Sequence, residues 1–175
     1  MKRIALTAVL AAGLLAPAAA HAATAVGTFD AGSGHHMVVP NGTDGLRQVD
    51  GQLTFRQTAF GPITVNGRLA GLAPSTPYVA VPYKDGVCLP TPGVTAFPSG
   101  SFLSNAQGVA QPRNVVVNPS AINPVGTFSV AETRSVSVRQ AVISAVAVPG
   151  IPVGTPTVPN GAQPEACDRT PEVTP

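Results

Sequence analysis

The chain lacks tryptophan, and aromatic residues make up only 5% of its 175 residues. Charged residues are also scarce, at 10%, whereas glycine and proline are frequent, with 18 and 19 copies. Proline and glycine interrupt helices, and β-branched residues lose side-chain freedom in them. A sequence rich in valine and threonine with so many helix breakers therefore favours short strands joined by turns over long helices.

The first residues have the three parts of a secretory signal peptide. Lys2 and Arg3 are basic, Ile4 to Leu15 is an apolar run, and Ala20-His21-Ala22 fits a small-x-small cleavage site. The apolar run is shorter than the ~20 residues that span a bilayer. We therefore predict removal of residues 1–22 and export to the cell envelope, the periplasm or the outside of the cell, with no transmembrane span remaining.

Little net charge is left after this removal. The chain has 10 Lys and Arg against 8 Asp and Glu, and two of the basic residues, Lys2 and Arg3, lie in the leader. The remainder is therefore neutral. Nucleic-acid binding needs clustered basic side chains, and no run of like charge indicates an anionic partner or a membrane surface. We predict no nucleic-acid partner.

Two cysteines, Cys88 and Cys167, follow the leader. An even cysteine count in an exported protein indicates a disulfide, whereas a redox-active pair is usually spaced C-x-x-C. We predict a structural disulfide between Cys88 and Cys167 that encloses most of the C-terminal half.

Period-two alternation marks the clearest strands. In VDGQLTFRQ, residues 49–57, Leu53 and Phe55 alternate with polar residues, and PITVNGRLA, residues 62–70, repeats the pattern. Pro82 lacks a backbone donor, so the strand that holds it must lie at an edge or contain a bulge. Further strands are predicted at residues 24–29, 77–83, 126–131 and 135–148, together with a hairpin whose arms are residues 102–103 and 109–117.

This pattern predicts an all-β fold, a Greek-key β-sandwich or flattened barrel of about seven or eight strands. Residues 23–48 are expected to form an N-terminal strand and a turn-rich segment. The sandwich domain is expected over residues 49–168, and a flexible tail over residues 169–175.

Several short motifs, in order, resemble copper-zinc superoxide dismutases. GLAP, residues 71–74, resembles the Gly-Leu-x-Pro turn before the copper-binding strand, and KDGVC, residues 84–88, resembles the loop that follows it. SGSFLSNAQGVA, residues 99–110, resembles a hairpin of that family, and EAC, residues 165–167, the second half of its disulfide. The resemblance covers roughly residues 50–167 and implies a superoxide-dismutase-like or CHRD-like, immunoglobulin-like sandwich.

The metal ligands of that family are missing. The resemblance places its His-x-His pair on Ala80 and Pro82, which carry no donor atom. Copper and zinc sites of that type need several imidazoles, and only His35 and His36 follow the leader. These two histidines are adjacent, and neighbours in a strand point to opposite faces, so the pair would chelate one ion poorly. We therefore predict a scaffold with no metal site, no cofactor and no enzymatic activity.

A second resemblance concerns the same stretch. GLAPSTPY, residues 71–78, also resembles the corner of fibronectin type III domains, where a tyrosine hydroxyl hydrogen-bonds to the backbone upstream. We predict such a corner contact for Tyr78. Fibronectin type III domains are shorter, at about 100 residues, so the dismutase-like sandwich is the preferred interpretation.

Other polar residues form no motif of defined chemistry. The serines lack partners for a catalytic triad, the carboxylates are scattered, and the glycosylation pattern matters only in a host that glycosylates. These residues are Asn41-Gly42-Thr43, Ser99, Ser101, Ser104, Asp30, Asp44, Asp50 and Tyr83.

The resulting hypothesis is an exported, non-catalytic protein with a structural or binding role. Its partner would be an unidentified protein or a component of the cell envelope. Two alternatives are an adhesion module of fibronectin type III character and a metal-dependent redox enzyme that takes ligands from His35, His36 and a few carboxylates.

Overall fold

The computed structural model describes residues 22–30, 36–38, 48–58, 61–84, 86, 88, 95–96, 100–117, 128–143, 154–158 and 164–175. These residues contain thirteen strands and one turn of 3₁₀ helix, Val130–Glu132. The strands are β1 (Ala23–Phe29), β2 (His36–Val38), β3 (Asp50–Gln57), β4 (Ile63–Ala70), β5 (Pro77–Tyr83), β6 (Thr95–Ala96), β7 (Ser101–Leu103), β8 (Val115–Val117), β9 (Ser135–Gln140), β10 (Val142–Ile143), β11 (Pro156–Val158), β12 (Ala166–Asp168) and β13 (Glu172–Thr174).

The strands form three antiparallel sheets. The first sheet has the order β13-β1-β3-β4-β8, the second β2-β12-β9-β5-β7, and the third β10-β11-β6. The main core fills the space between the first and second sheets, so the prediction of an all-β sandwich is confirmed and the barrel alternative is not. The strand number exceeds the expected seven or eight because eight of the described strands have only two or three residues.

The two strands with the clearest alternation pair with each other in the first sheet. β3 and β4 are matched from Asp50–Ala70 to Gln57–Ile63. Leu53, Phe55 and Gln57 of β3 face the core, and the residues between them are exposed or half-buried. One dry face and one wetter face is the arrangement that period-two alternation predicts.

β5 is buried on both faces, which explains why its sequence does not alternate. Tyr78 and Ala80 lie in the main core, whereas Val79 and Val81 face the third sheet and pack with Val158 of β11. The third sheet thus adds a small second core on the outer side of the second sheet.

Pro82 lies in a strand that has two neighbours, yet its position obeys the expected restriction. β7 pairs with β5 only from Pro77 to Val79, and β9 pairs with β5 as far as Tyr83. The carbonyl of Tyr83 accepts from Arg134 N–H on the β9 side, so the backbone of Pro82 faces the opposite side. There β5 has no described ladder partner, and the missing N–H disrupts no pairing.

Both ends of the described chain lie in the first sheet. The expected N-terminal strand is observed as β1, which lies between β13 and β3 and pairs with β3 from Ala23–Gln57 to Phe29–Gly51. The expectation of a flexible tail is wrong for Glu172–Thr174, which pairs with β1 as β13. Val173 packs partly against the core, but three residues are too few for alternation to be recognised.

The predicted hairpin after residue 101 is also wrong. The turn itself forms, with Asn105 N–H donating to Val109 O and Gly108 N–H to Asn105 O. The two arms then separate, because β7 pairs with β5 in the second sheet and β8 pairs with β4 in the first. The turn therefore carries the chain from one sheet to the other.

Of two further strand predictions, the one at residues 126–131 is wrong for its described residues and the other holds in part. Residues 130–132 form the 3₁₀ turn because Ser129 caps it: its Oγ accepts from Ala131 N–H, and Glu132 Oε2 accepts from Ser129 N–H. This reciprocal arrangement is a capping box. The strand predicted at 135–148 is observed as β9 and β10, and residues 144–148 lie outside the described residues, as do 126–127.

Close approach of β3 and β4 depends on glycine at position 67. Gly67 has φ +151°, and an added Cβ would lie 2.1 Å from Gln52 O. We expect Gly67→Ala to lower the free energy of unfolding by about 2 kcal/mol, since backbone strain of this kind costs roughly 1–3 kcal/mol. Urea denaturation followed by circular dichroism measures this loss.

Gly86→Ala is the matched control, because a Cβ there meets nothing within 4 Å. We expect this variant to unfold within about 0.5 kcal/mol of the parent. Equal effects of the two substitutions would contradict the role assigned to Gly67.

Candidate functional site

The corner before β5 is held by two buried hydroxyl groups. Tyr78 Oη accepts a hydrogen bond from Ala73 N–H at 2.8 Å, which is the upstream backbone contact expected of this residue. Ser104 Oγ accepts from Thr76 N–H at 2.9 Å and donates to Ala73 O at 2.5 Å. The Tyr78 ring packs on Phe102, with centroids 6.3 Å apart. The two hydroxyl groups thus provide hydrogen-bond partners for the backbone of the turn that leads into β5.

The same contacts decide the role of the candidate serines. Ser104 is 1% exposed and its hydroxyl is committed to backbone groups, so it has the surroundings of a structural residue rather than a nucleophile. Ser101 is half-buried in β7, and Ser99 lies outside the described residues. Sequence reasoning did not assign Ser104 to the corner, since its partners lie about 30 residues away.

The structure places the expected copper-ligand positions inside the molecule. Ala80 lies in the main core, and Pro82 is also buried. His36 begins β2, where its backbone pairs with Asp168, and His35 lies outside the described residues. Within the part of the chain that the structure describes, no group of three or more His, Cys, Asp or Glu residues is arranged to hold a metal ion.

The remaining polar candidates do not form a defined site. Asp30 and Asp50 are exposed next to the Phe29–Gly51 end of the β1–β3 ladder. Asp44 and the Asn41-Gly42-Thr43 pattern lie outside the described residues.

The two cysteines form the predicted disulfide, with S–S 2.05 Å and Cα–Cα 5.9 Å. Cys88 follows β5, whereas Cys167 lies in β12, so the bond crosses over β9, which separates these strands in the second sheet. Cys88 Sγ lies 3.5 Å from Val136 O of β9. Both residues are buried, at 7% and 0% exposure. The bond therefore fixes β12 against the middle of the sheet.

Asp168, the residue after Cys167, connects the two large sheets. Its carboxylate is buried and accepts two backbone hydrogen bonds, from Thr28 N–H to Oδ2 at 2.9 Å and from Thr170 N–H to Oδ1 at 2.8 Å. Thr28 belongs to β1, beyond Val26–Glu172, the last pair that β1 makes with β13. The carboxylate thus takes the place of the next ladder partner.

Sequence reasoning missed Asp168 altogether. Its only local signal is Asp-Arg-Thr, which is compatible with a side chain that accepts from the backbone two residues on. The contact with Thr28 spans 140 residues of sequence and leaves no local pattern.

A β-bulge precedes Cys167. Glu165 N–H donates to Val138 O at 2.8 Å, while Ala166 is paired with the same Val138, so that two consecutive residues oppose one. Residues 165–168, with Cys88 and Thr28 as their partners, are called the β12 seam below.

Among the described residues, Arg139 is the largest fully buried side chain, at 1% exposure. It lies on the β9 face that the third sheet covers; its Nε donates to Ser137 Oγ at 3.1 Å, and its Cζ lies 5.5 Å from the centroid of the Tyr83 ring. Burial lowers the pKa of the guanidinium, and the interaction with Tyr83 opposes that shift. A guanidinium remains charged in proteins, so this cation sits beneath the third sheet.

The alternation within β9 does not reveal that Arg139 is buried. Val136 and Val138 do alternate with Ser135, Ser137 and Arg139, as the sequence indicates. Alternation separates two faces but does not tell whether a further sheet covers the second one.

A scan against models of protein families gives no match for this chain, and a search of curated proteins finds no significantly similar sequence. Among the described residues, no helix has the length and apolar character needed to cross a membrane. The buried disulfide is compatible with an exported protein.

We expect Asp168→Ala to lower the free energy of unfolding by about 2 kcal/mol or more, because it removes the acceptor of the Thr28 N–H and leaves that donor unsatisfied. Urea denaturation at neutral pH measures the loss. Glu172→Ala, which removes an exposed carboxylate from neighbouring β13, is the control and should change stability by less than about 0.5 kcal/mol. A loss no larger than that of the control would contradict the role of Asp168.

The surface ion pair between Lys84 and Glu132 gives a pH-dependent prediction with a smaller expected change in stability. Lys84 Nζ lies 2.7 Å from Glu132 Oε2, and this contact lowers the pKa of Glu132. A lowered folded-state pKa stabilises the fold above the unfolded pKa of the group, and the gain disappears as pH falls through the folded value. Both side chains are largely exposed, so we expect Lys84→Met to cost less than about 1 kcal/mol at pH 7.

The difference between Lys84→Met and the parent should vanish in acid. Urea titrations at pH 7 and pH 3 measure it, with Arg113→Met as a control for removal of an exposed cation. A difference that persists unchanged at pH 3 would contradict the ion-pair explanation.

Proposed function

We propose that the protein is an exported, non-catalytic β-sandwich with a structural or binding role at the cell envelope or outside the cell. Its scaffold would be superoxide-dismutase-like or CHRD-like, without a metal site. The observation that carries the proposal is the packing of β5. Ala80 and Pro82, the positions that the resemblance aligns with the copper ligands, are buried and have no donor atom.

Two further features support this proposal. The disulfide is buried and joins distant parts of the second sheet, which suits a protein that works under oxidising conditions. Ser104, which is buried, serves the corner at residues 73–76. Export itself rests on the leader pattern in residues 1–22.

An adhesion module of fibronectin type III character is the second candidate, and the Tyr78–Ala73 contact favours it. A metal-dependent redox enzyme is the third. The pairing of β2 with β12 places His36 opposite Asp168, which brings two residue types that can bind metals close together. However, both carboxylate oxygens of Asp168 already accept hydrogen bonds from backbone N–H groups. We therefore place this candidate last.

The decisive test is metal content measured together with dismutase activity. The chain would be purified without a histidine tag, incubated with copper and zinc, dialysed and analysed for both elements. We expect far less than one ion per chain and no superoxide dismutation. Stoichiometric metal with turnover would overturn the non-catalytic proposal, and loss of that metal in a His35→Ala/His36→Ala variant would locate the site.

Export is tested separately by fractionation and mass analysis of the chain. We expect the exported fraction to contain a chain that starts at or next to Ala23. Retention inside the cell with residues 1–22 still attached would overturn this part of the proposal.

A further inference from the structure

The β12 seam contributes little apolar surface to the fold it closes. β12 has three residues, and of these only Ala166 belongs to the main core. Asp168 at the end of β12 and Glu165 just before the strand bring two carboxylates to 3% and 4% exposure. Because only Ala166 of β12 belongs to the main core, hydrophobic burial is a weak driving force at this strand. Burial of the two carboxylates opposes docking unless hydrogen bonds compensate it.

Two other short strands nevertheless depend on β12. Among the described strands, β2 pairs only with β12. β13 follows β12 directly, and the Asp168–Thr170 and Asp168–Thr28 hydrogen bonds guide the chain from the second sheet to the edge of the first. We call β2, β12 and β13 the closure.

The rest of the sandwich has its own stabilising contacts. β3 and β4 pair over eight positions each, and β5 and β9 over six. The large core side chains Phe55, Tyr78 and Phe102 belong to these strands and to β7. This part, here called the framework, consists of β3, β4, β5, β7 and β9.

We infer that the Cys88–Cys167 bond is a redox latch for the closure. In the oxidised chain, the bond holds β12 against β9, and β2 and β13 dock with it. In the reduced chain, the closure leaves the sandwich while the framework stays folded. Closing the latch converts two cysteine thiols and one disulfide of an external donor into the protein disulfide and two donor thiols, with transfer of two electrons and two protons.

The latch has a consequence for the order of events during export. Thiols remain reduced in the cytosol and oxidise in exported compartments. The closure therefore stays open until the chain has left the cytosol, which leaves the edges of β1 and β9 unpaired during transit. This consequence rests on the proposed export, whereas the latch itself does not.

Hydrogen exchange with mass spectrometry on the purified chain tests the latch. The oxidised protein is compared with the same protein reduced by dithiothreitol and with a Cys88→Ala/Cys167→Ala variant. We expect about tenfold or faster exchange in residues 36–38, 166–168 and 172–174 and at the Thr24, Val26 and Thr28 amides. Exchange in the core positions of β3, β4 and β5 should change by less than about threefold.

Two results would overturn the inference. Uniform acceleration in every strand would mean that the disulfide supports the whole sandwich, and unchanged exchange would mean that β12 docks without it. Reoxidation of the reduced protein by oxidised glutathione should restore protection in the closure, and failure to do so would also overturn the latch. These measurements need no cell, so they are independent of the export test.

An Asp168→Asn variant with the disulfide intact separates the bond from the carboxylate. We expect its faster exchange to be confined to Thr28, Thr170 and the adjoining β13 amides, with β2 and β12 still protected. Loss of protection across β2 and β12 in this variant would assign the latch to Asp168 instead of the disulfide.

Discussion

β1 extends past Val26–Glu172, the last pair that it makes with β13, and there the N–H of Thr28 still needs an acceptor. The carboxylate of Asp168 provides it. A buried N–H without an acceptor is a large cost for a small domain. The acceptor must come from the opposite sheet, and it reaches Thr28 only while β12 is held in place. Cys167, one residue earlier, is bonded to Cys88. The attachment of β1 to the second sheet at this edge therefore depends on two consecutive residues of one short strand.

The third sheet determines the character of the second. It converts the outer face of β5 and β9 from a solvent face into an interior one, where Val79 and Val81 meet Val158. The polar residues of β9 are buried with them. The cost of burying the Arg139 guanidinium is offset by its hydrogen bond to Ser137 and its contact with the Tyr83 ring. A cation stacked on an aromatic ring is worth more when it is desolvated, which makes this contact part of the packing between the sheets.

The sequence predicts features that depend on near neighbours along the chain. The alternation of β3 and β4, the corner at Tyr78 and the restriction on Pro82 each follow from a few adjacent residues. Features set by distant partners escape such reasoning. β8 leaves its apparent hairpin for β4, Arg139 is covered by another sheet, and Asp168 binds a donor 140 residues away. The disulfide was predictable only because the chain offers a single pair of cysteines.

The same packing limits where the chain can be changed without loss of the fold. A metal site at positions 80 and 82 would replace two buried residues of β5, a strand covered on both sides, and would require imidazoles where the main core now has apolar contacts. The outer face of the first sheet is different, since Gln52, Arg56 and Arg68 are exposed there on β3 and β4. Substitution on this face would not disturb either core. The two cores thus constrain the side chains of the strands packed between the sheets, and they leave the polar outer face of the first sheet unconstrained.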